Sequence, residues 1–277
     1  MNKHKNDEYN LTVSDFAKIC GTSRDTLRHY YEKGLLVPYI NEENGYHYYA
    51  SSQIASFYFI KIFKNVGCSL SDINGLINSP SKEEVANAIT TRIENINDQM
   101  HKLQQNHNSL SIIKHLFDLI NSSSEEKIFE CQHMPMTIFK TSVKNTESAY
   151  AIRDIISETT GHINHYSNEL KLSPFPIGGS ISCDDLLNGK YVYSNIISFS
   201  LEKADNETFF DIPNTKSICC YHTDKNGDIH NSYKNIVSYI KEKKLTPVSD
   251  LYIISLVNLY DNQDKHTYCK FMMICVE

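Results

Sequence analysis

The sequence predicts an α+β protein in three parts, and three observations carry that prediction. Two short capped helices precede an Asn-Gly hairpin within the first 80 residues. One apolar repeat with a period of about 3.5 residues runs from Ile89 to Phe117. A strand, helix, strand, strand order then occurs twice between residues 125 and 277. With 277 residues the chain can build two independent cores.

The first helix opens at Thr12 and Asp15, which stand in capping-box spacing, and Gly21 ends it. Val13, Phe16, Ala17 and Cys20 form its apolar stripe. Ser23 caps the second helix, and Gly34 and Pro38 stop it. Leu27 with Tyr30 or Tyr31 falls on a face that can be buried, so Arg24, Arg28 and the polar edge of His29 point away. A helix this short needs neighbours to hold it. Two helices joined by a tight glycine turn make a helix-turn-helix, whose second helix enters the major groove. Arginine forks there suit phosphates and guanine edges. Pro38 to Ile40, the polar turn Asn41 to Gly45, and Tyr46 to Tyr49 then read as a hairpin, the wing. Ser51 and Ser52 are read as the cap of a third helix, with Ile54, Phe57, Tyr58, Ile60, Ile62 and Phe63 inward. Ser69-Leu70-Ser71-Asp72 opens a fourth helix that stops before Ser79-Pro80.

Thr26-Leu27-Arg28-His29-Tyr30, Gly34-Leu35-Leu36 with Pro38, Asn44-Gly45-Tyr46 with Tyr49, then Gly67, Ser69-Leu70 and Ile73 occur in one order over about 70 residues. That series resembles the MerR family of transcription regulators. The resemblance, joined to the helix geometry, marks Thr12, Ser23, Arg24, Thr26, Arg28, His29, Tyr30, Tyr46, His47 and Tyr48 as the DNA-binding set. His47 stands where the family usually has an arginine on phosphate, so a weaker contact is expected there. The first 80 residues hold eight Lys/Arg against eight Asp/Glu. Binding must therefore rest on where a few cations are placed.

In the long repeat, Ile89, Ile93, Ile96, Met100, Leu103, Leu110 and Phe117 recur in alternating steps of four and three, with His107 and Lys114 on the remaining beats. This reads as a coiled-coil seam on a helix from Lys82 to Ile120, about 58 Å long. Such a seam needs a second copy or, alternatively, the chain's own C-terminal part. The resemblance implies an antiparallel homodimer that spaces two reading heads. Metal-sensing members carry a cysteine at the start of this helix, where Pro80-Ser81-Lys82-Glu83 stands here. Iron–sulfur members carry a cysteine cluster after it, and here only Cys131 lies near. No metal, cofactor or redox sensing is expected, and His162 and His165 in H-x-x-H spacing are too sparse to change that.

After the linker Asn121 to Ser124 come a strand-like stretch, Ile128 to Val143, interrupted at Pro135, and a helix, Glu147 to Tyr166, with Ala151, Ile152, Ile155 and Ile156 inward. Strands follow at Ile177 to Gly179 and Tyr191 to Leu201. Phe209 to Pro213 leads to a strand at Lys216 to His222, a helix at Tyr233 to Lys244, and strands at Leu251 to Leu259 and Thr267 to Val276. The doubled β-α-β-β order, its appended position, and Met134-Pro135 and Ile212-Pro213 early in each half resemble the GyrI-like effector-binding domain of multidrug-sensing MerR regulators. That resemblance implies a cavity between the halves lined by aromatic side chains. The residues expected to line it are Tyr150, Tyr166, Tyr233, Asp250, Tyr252, Ile253 and Tyr268. Multidrug members carry a buried glutamate just after a tyrosine on this strand; Ile253 takes that place and Asp250 lies nearby. A planar or hydrophobic effector, neutral as readily as cationic, is expected.

The formal charge of −6 and pI of about 6.1 exclude a uniformly basic coat. The polar start, Met1 to Asn10, is unlike a signal peptide, and no apolar run approaches the roughly 20 residues of a membrane helix. Eight scattered cysteines without C-x-x-C are expected to be reduced in the cytoplasm, with Cys219-Cys220 structural. There is no phosphate-binding glycine loop and no G-x-S-x-G elbow. The sequence thus predicts a winged helix-turn-helix (1–80), a dimerisation helix (81–121) and an effector domain (125–277). The role that the resemblance implies is a ligand-responsive homodimeric activator, not an enzyme, that alters promoter twist and so reaches RNA polymerase indirectly. The rival reading is a GyrI-like hydrolase or scavenger with an accessory DNA module; the lost glutamate at Ile253 counts against it.

Overall fold

The computed structural model describes residues 8–78, 81–123, 128–144, 152–202, 209–260 and 266–277. The chain divides into two compact units, residues 1–100 and 101–277. Tyr150, Ala151, Ser79, Pro80 and position 125 lie outside the described residues.

In the first unit, strand β1 (Tyr9–Thr12) leads into helix α1 (Val13–Cys20), and α2 (Arg24–Glu32) follows. The Asp15 amide donates to Thr12 Oγ1 at 3.2 Å and the Thr26 amide to Ser23 Oγ at 3.0 Å, so both helices are side-chain capped. Between them Gly21 adopts φ 60°, a left-handed value that costs glycine little. Strands β2 (Tyr39–Ile40) and β3 (His47–Ala50) form the wing, and β1 adds a third strand on the far side of β3, a pairing not foreseen from sequence. Helices α3 (Gln53–Asn65) and α4 (Leu70–Asn78) close the head over Phe16, Leu27, Tyr30, Tyr49, Phe57, Ile60 and Ile73.

Two expectations about α3 are corrected. Ser52 makes no capping bond. Gln53 does the linking instead, accepting from the Ala50 amide at 2.9 Å and donating to the Val37 carbonyl at 2.8 Å. Phe57, Ile60 and Phe63 face inward at three-residue spacing, whereas Tyr58 and Ile62 are exposed. One 3.6-residue spiral cannot bury all six apolar positions against a single core.

Helix α5 (Lys82–Ser122) begins at a capping box, with the Glu84 amide on Ser81 Oγ at 3.1 Å and the Ser81 amide on Glu84 Oε2 at 3.2 Å. Its last turns belong to the second unit. There Gln105, Ser109, Ile112 and Leu116 are buried, at steps of four, three and four. This row lies about 130° round the helix from Leu110, taking about 100° per residue. Of the expected seam, Ile89, Ile93, Met100, Leu103 and Leu110 are exposed. The helix therefore has two apolar faces, and the sequence pattern showed mainly the outer one; its last expected member, Phe117, packs against the sheet instead.

The second unit is one eight-stranded antiparallel sheet in the order β4-β9-β11-β10-β6-β7-β5-β8. Its strands are β4 (Ile128–Cys131), β5 (Thr137–Ser142), β6 (Ile177–Ile181), β7 (Asn195–Ser200), β8 (Phe209–Asp211), β9 (Lys216–Thr223), β10 (Leu251–Tyr260) and β11 (His266–Val276). Helix α6 (Ile152–Ile163), extended by a π-turn at Asn164–Glu169, crosses from β5 to β6, and α8 (Ile229–Lys243) crosses from β9 to β10. A short α7 (Cys183–Leu187) sits between β6 and β7. The two β-α-β-β halves meet at β6 and β10, where Gly179 pairs with Ile253. Each half also lends a strand to the other: β4, which precedes β5, pairs with β9, and β8, which precedes β9, pairs with β5. The stretch read as one strand from Ile128 to Val143 is thus two strands in different halves, broken around Pro135. Ile156, expected inward, is exposed.

The sheet's two faces carry different cores. One buries Ile112 and Leu116 of α5 with Ile138, Ile197, Phe199, Tyr252, Ile254, Phe271 and Met273. The other packs Tyr233, Ile236 and Ile240 of α8 against Ile181, Ile218, Leu251, Ile253, Met272 and Ile274. Successive residues on a strand must choose opposite faces.

Candidate nucleic-acid interface and effector domain

Leu27 and Tyr30 anchor α2 in the head core, which sends Arg24, Arg28 and His29 to the surface. Arg28 Nε lies 2.9 Å from Glu32 Oε1 one turn on, both side chains well exposed. The wing turn is shaped by two asparagines: Asn41 Oδ1 accepts from the Glu43 amide at 2.9 Å, and Asn44 Oδ1 from the Tyr46 amide at 2.9 Å. Gly45, at φ 68°, completes it and leaves Tyr46 67% exposed. His47 is half-buried, its ring edge-on to Tyr31 at 5.4 Å, so the wing leans on the recognition helix. Tyr31 was not among the expected site residues; an aromatic beside an arginine-bearing face was the signal available.

Of the ten expected DNA-binding residues, Arg24, Arg28, His29 and Tyr46 are exposed, and Thr26, His47 and Tyr48 half-buried. Thr12 and Ser23 lie on the surface with their hydroxyls engaged as helix caps. Tyr30 is the correction. It is 3% exposed, and its ring packs on Phe57 at 6.0 Å, so it holds the helix rather than touching a ligand. Three residues after Leu27 on a nine-residue helix, it had to share Leu27's face.

Tyr150 lies outside the described residues, and the other six expected effector residues do not gather round one cavity. Tyr252 and Ile253 are neighbours on β10 and face opposite sides of the sheet: Tyr252 toward Phe199, Ile253 toward α8. Tyr166 is buried against Phe139 at 4.1 Å, in the first half. The Tyr268 hydroxyl is 3.2 Å from His222 Nε2, and Asp250 Oδ2 accepts from Ser180 Oγ at 3.3 Å. What the fold does bring together is Tyr233 and Ile253 with Tyr191 and Tyr193. Tyr191 and Tyr233 rings lie 5.3 Å apart, and Tyr233 is hydrogen-bonded with Tyr193. Burial first, then Tyr193, drives the Tyr233 phenol far above its ordinary range. Tyr193 lies flat over Gly179, where an added Cβ would come within 2.9 Å of the ring. The unit's open grooves are elsewhere: one of about 450 Å³ is lined by Met136, Leu201, Asp211, Ile212 and Pro213, and one of about 350 Å³ by Leu119, Phe129, Cys131 and Tyr239. None of the six expected residues that the structure describes lines either groove.

His162 and His165 part company. His165 is exposed, with Nδ1 2.7 Å from Glu169 Oε2. His162 is buried, Nδ1 being 2.9 Å from Thr141 Oγ1 and Nε2 3.0 Å from Ser198 Oγ. Ser198 spends its proton on the Pro174 carbonyl, so the ring is the neutral Nε2–H form. Burial, with His165 adding to it, pushes its pKa down to about 4. Among the described residues, no group of three or more His, Cys, Asp or Glu could hold a metal ion, and no helix is long and apolar enough to cross a membrane.

A helix-turn-helix with an arginine-bearing second helix and a wing at its side defines a DNA-binding head. The chain belongs to the MerR family: residues 11–79 match the MerR HTH family regulatory protein model and residues 55–113 match the model for MerR DNA binding. It is a DNA-binding transcription regulator. The Multidrug-efflux transporter 2 regulator of Bacillus subtilis is 26% identical over 234 residues, covering 83% of each chain. A probable heavy metal-dependent transcriptional regulator of Haemophilus influenzae is 31% identical over 100 residues, covering 34% of this chain and 78% of that one. A cryo-electron-microscopy structure of the EcmrR–DNA complex covers 96% of this chain and 99% of that chain at 20% identity, with a TM-score of 0.37.

Proposed function

We propose that the protein is a cytoplasmic homodimer that binds promoter DNA and activates transcription when a small planar or hydrophobic molecule occupies its C-terminal domain. The observation that carries this is the two-faced helix α5. Its inner row grips the sheet of the second unit, and its outer row, Ile89 to Leu110, is a seam for a second copy. A ligand on the α8 face that shifts the sheet on which Ile112 and Leu116 sit thereby acts on the element that spaces two reading heads. It shifts the dimer only if it binds two arrangements unequally. Realigned, untwisted promoter DNA is then presented to RNA polymerase, a use of DNA deformability.

In this reading the head is 1–80, the dimer helix 81–121 and the effector domain 125–277. Arg24, Thr26, Arg28, His29, Tyr46, His47 and Tyr48 meet DNA, and the half-buried Tyr191 and Tyr193, backed by the buried Tyr233 and Ile253, receive the effector's flat face. The similarity over 83% of the chain to a multidrug-efflux transporter regulator supports an effector of this class. The protein acts by binding and not by turnover. A gel shift of the full chain on its own upstream DNA, with and without planar dyes, tests the reading. Binding that needs a palindrome and responds to dye supports it; binding indifferent to the palindrome rejects it.

A further inference from the structure

Cys131 and Cys219 are 88 residues apart in sequence, yet their sulfurs lie 2.9 Å apart. The exchange of β4 into the other half makes the meeting. Phe129 pairs with Cys219 and Cys131 with Ser217, so the two cysteines are diagonal neighbours on one face of adjacent antiparallel strands. Closing by under about 1 Å would join them.

The two thiols are not equivalent. Cys219 is wholly buried, and burial together with Cys131 holds its proton firmly. Cys131 is half-buried and opens on the groove of about 350 Å³ between the end of α5, β4 and Tyr239. The hydrogen bond from the Cys219 thiol favours its thiolate and outweighs burial, and His133 two residues on adds to that effect. His133 has Nδ1 2.7 Å from the Met134 carbonyl and Nε2 3.1 Å from the Pro213 carbonyl. Two carbonyl acceptors require both ring nitrogens to carry protons, so the ring is a cation. A half-buried thiol that opens on a groove, its thiolate form favoured by a neighbouring cation and by contact with a buried thiol, is the arrangement of an attacking and a resolving cysteine.

We propose that Cys131 and Cys219 form a peroxide-reactive dithiol, with small hydroperoxides as substrate. The Cys131 thiolate attacks the outer peroxide oxygen, the O–O bond breaks, and the alkoxide or hydroxide leaves and takes up a proton. Cys131 is then a sulfenic acid. The Cys219 sulfur attacks the Cys131 sulfur, the S–O bond breaks, and hydroxide leaves with the Cys219 proton as water. Two thiols and one hydroperoxide become one disulfide, one alcohol (water, for hydrogen peroxide) and one water. In a reducing compartment such a bond is transient and reversible by thiol exchange. It would staple β4, the strand that follows the dimer helix, to β9.

The test uses the reduced full chain, hydrogen peroxide and peptide mapping without reductant. The expected product is a Cys131–Cys219 disulfide with the other six cysteines still free. Cys219→Ser should leave Cys131 as a sulfenic acid that a cyclic-dione reagent captures, and Cys131→Ser should leave Cys219 reduced. In untreated wild type, a maleimide should label Cys131 several-fold faster than Cys183 and Cys269, which are also half-buried but whose thiols burial pushes up. Equal labelling rates overturn the proposal, as does peroxide giving a different linkage or over-oxidised Cys131 without linkage.

Discussion

Leu110 and Ile112 stand two residues apart on α5 with opposite environments: Leu110 is 66% exposed and Ile112 fully buried against the sheet. Mutations at the two positions should therefore separate. Leu110→Glu combined with Leu103→Glu should turn a dimer into monomers in sedimentation, with the C-terminal unit still folded. Ile112→Ala should leave dimerisation intact and destabilise the second unit by about 2–5 kcal/mol, read as a lower urea midpoint.

Arg28 enters DNA binding already committed to Glu32. An exposed pair of this kind is worth about 0.3–0.5 kcal/mol, so phosphate can outbid the carboxylate. Arg28→Ala should lower the slope of log affinity against log salt by about 2 for a dimer, at about 0.9 per phosphate contact. Glu32→Gln should do the reverse of harm, raising affinity a few-fold by freeing the guanidinium and removing a nearby negative charge. Fluorescence anisotropy over a salt series checks both.

Two glycines that look alike in sequence should respond oppositely. A Cβ on Gly178 would fall 1.9 Å from the Ile253 carbonyl oxygen, at the junction of the two halves. Gly178→Ala should cost about 3 kcal/mol or more, because backbone must move. A Cβ on Gly75, exposed on α4, would meet nothing within 4 Å. Gly75→Ala should stabilise the head by roughly 0.5–1 kcal/mol. Thermal melts of the two variants suffice.

Two buried histidines should give stability opposite pH dependences. His162, depressed from 6.5 to about 4, takes up its proton only on unfolding in that window. Its contribution is complete above pH 6.5 and lost as pH falls through about 4, amounting to about 3 kcal/mol at 1.36 per unit. His133 is raised to about 9, because its bonds to Cys275 and to the Met134 and Pro213 carbonyls outweigh burial. Its contribution is complete below pH 6.5 and lost as pH rises through about 9. Urea midpoints should lose their acid limb in His162→Gln and part of their alkaline limb in His133→Gln.

What the sequence made legible follows from how local each signal is. Caps at Thr12 and Ser23 and the Asn44-Gly45 turn are set within a few residues, and each is where the pattern placed it. The doubled order is there too, but the stretch expected as its first strand is divided between the halves. Periodicity found the outer row of α5 but not Gln105, Ser109, Ile112 and Leu116, because polar members hide an inner stripe. Those polar members have partners far along the chain: Gln105 donates to the Lys171 carbonyl, and Ser109 to the Phe175 carbonyl at 2.6 Å. The expected effector set is divided by a stricter rule. Tyr252 and Ile253 were assigned to one pocket, although a strand sends adjacent side chains to opposite faces. The Cys131–Cys219 contact was invisible for a third reason: it depends on which half each outer strand joins.

That exchange of outer strands also decides how the effector domain can live. Take away residues 209–277 and β4 has no neighbour, while β5 shows a bare edge where β8 lay. Remove the first half instead, and β9 loses β4 while β10 loses β6. Neither copy of the duplicated unit is a finished object, so a break in one should bring down both. A single copy of the unit made alone would leave both edges bare, and would have to trade strands with a second molecule to cover them.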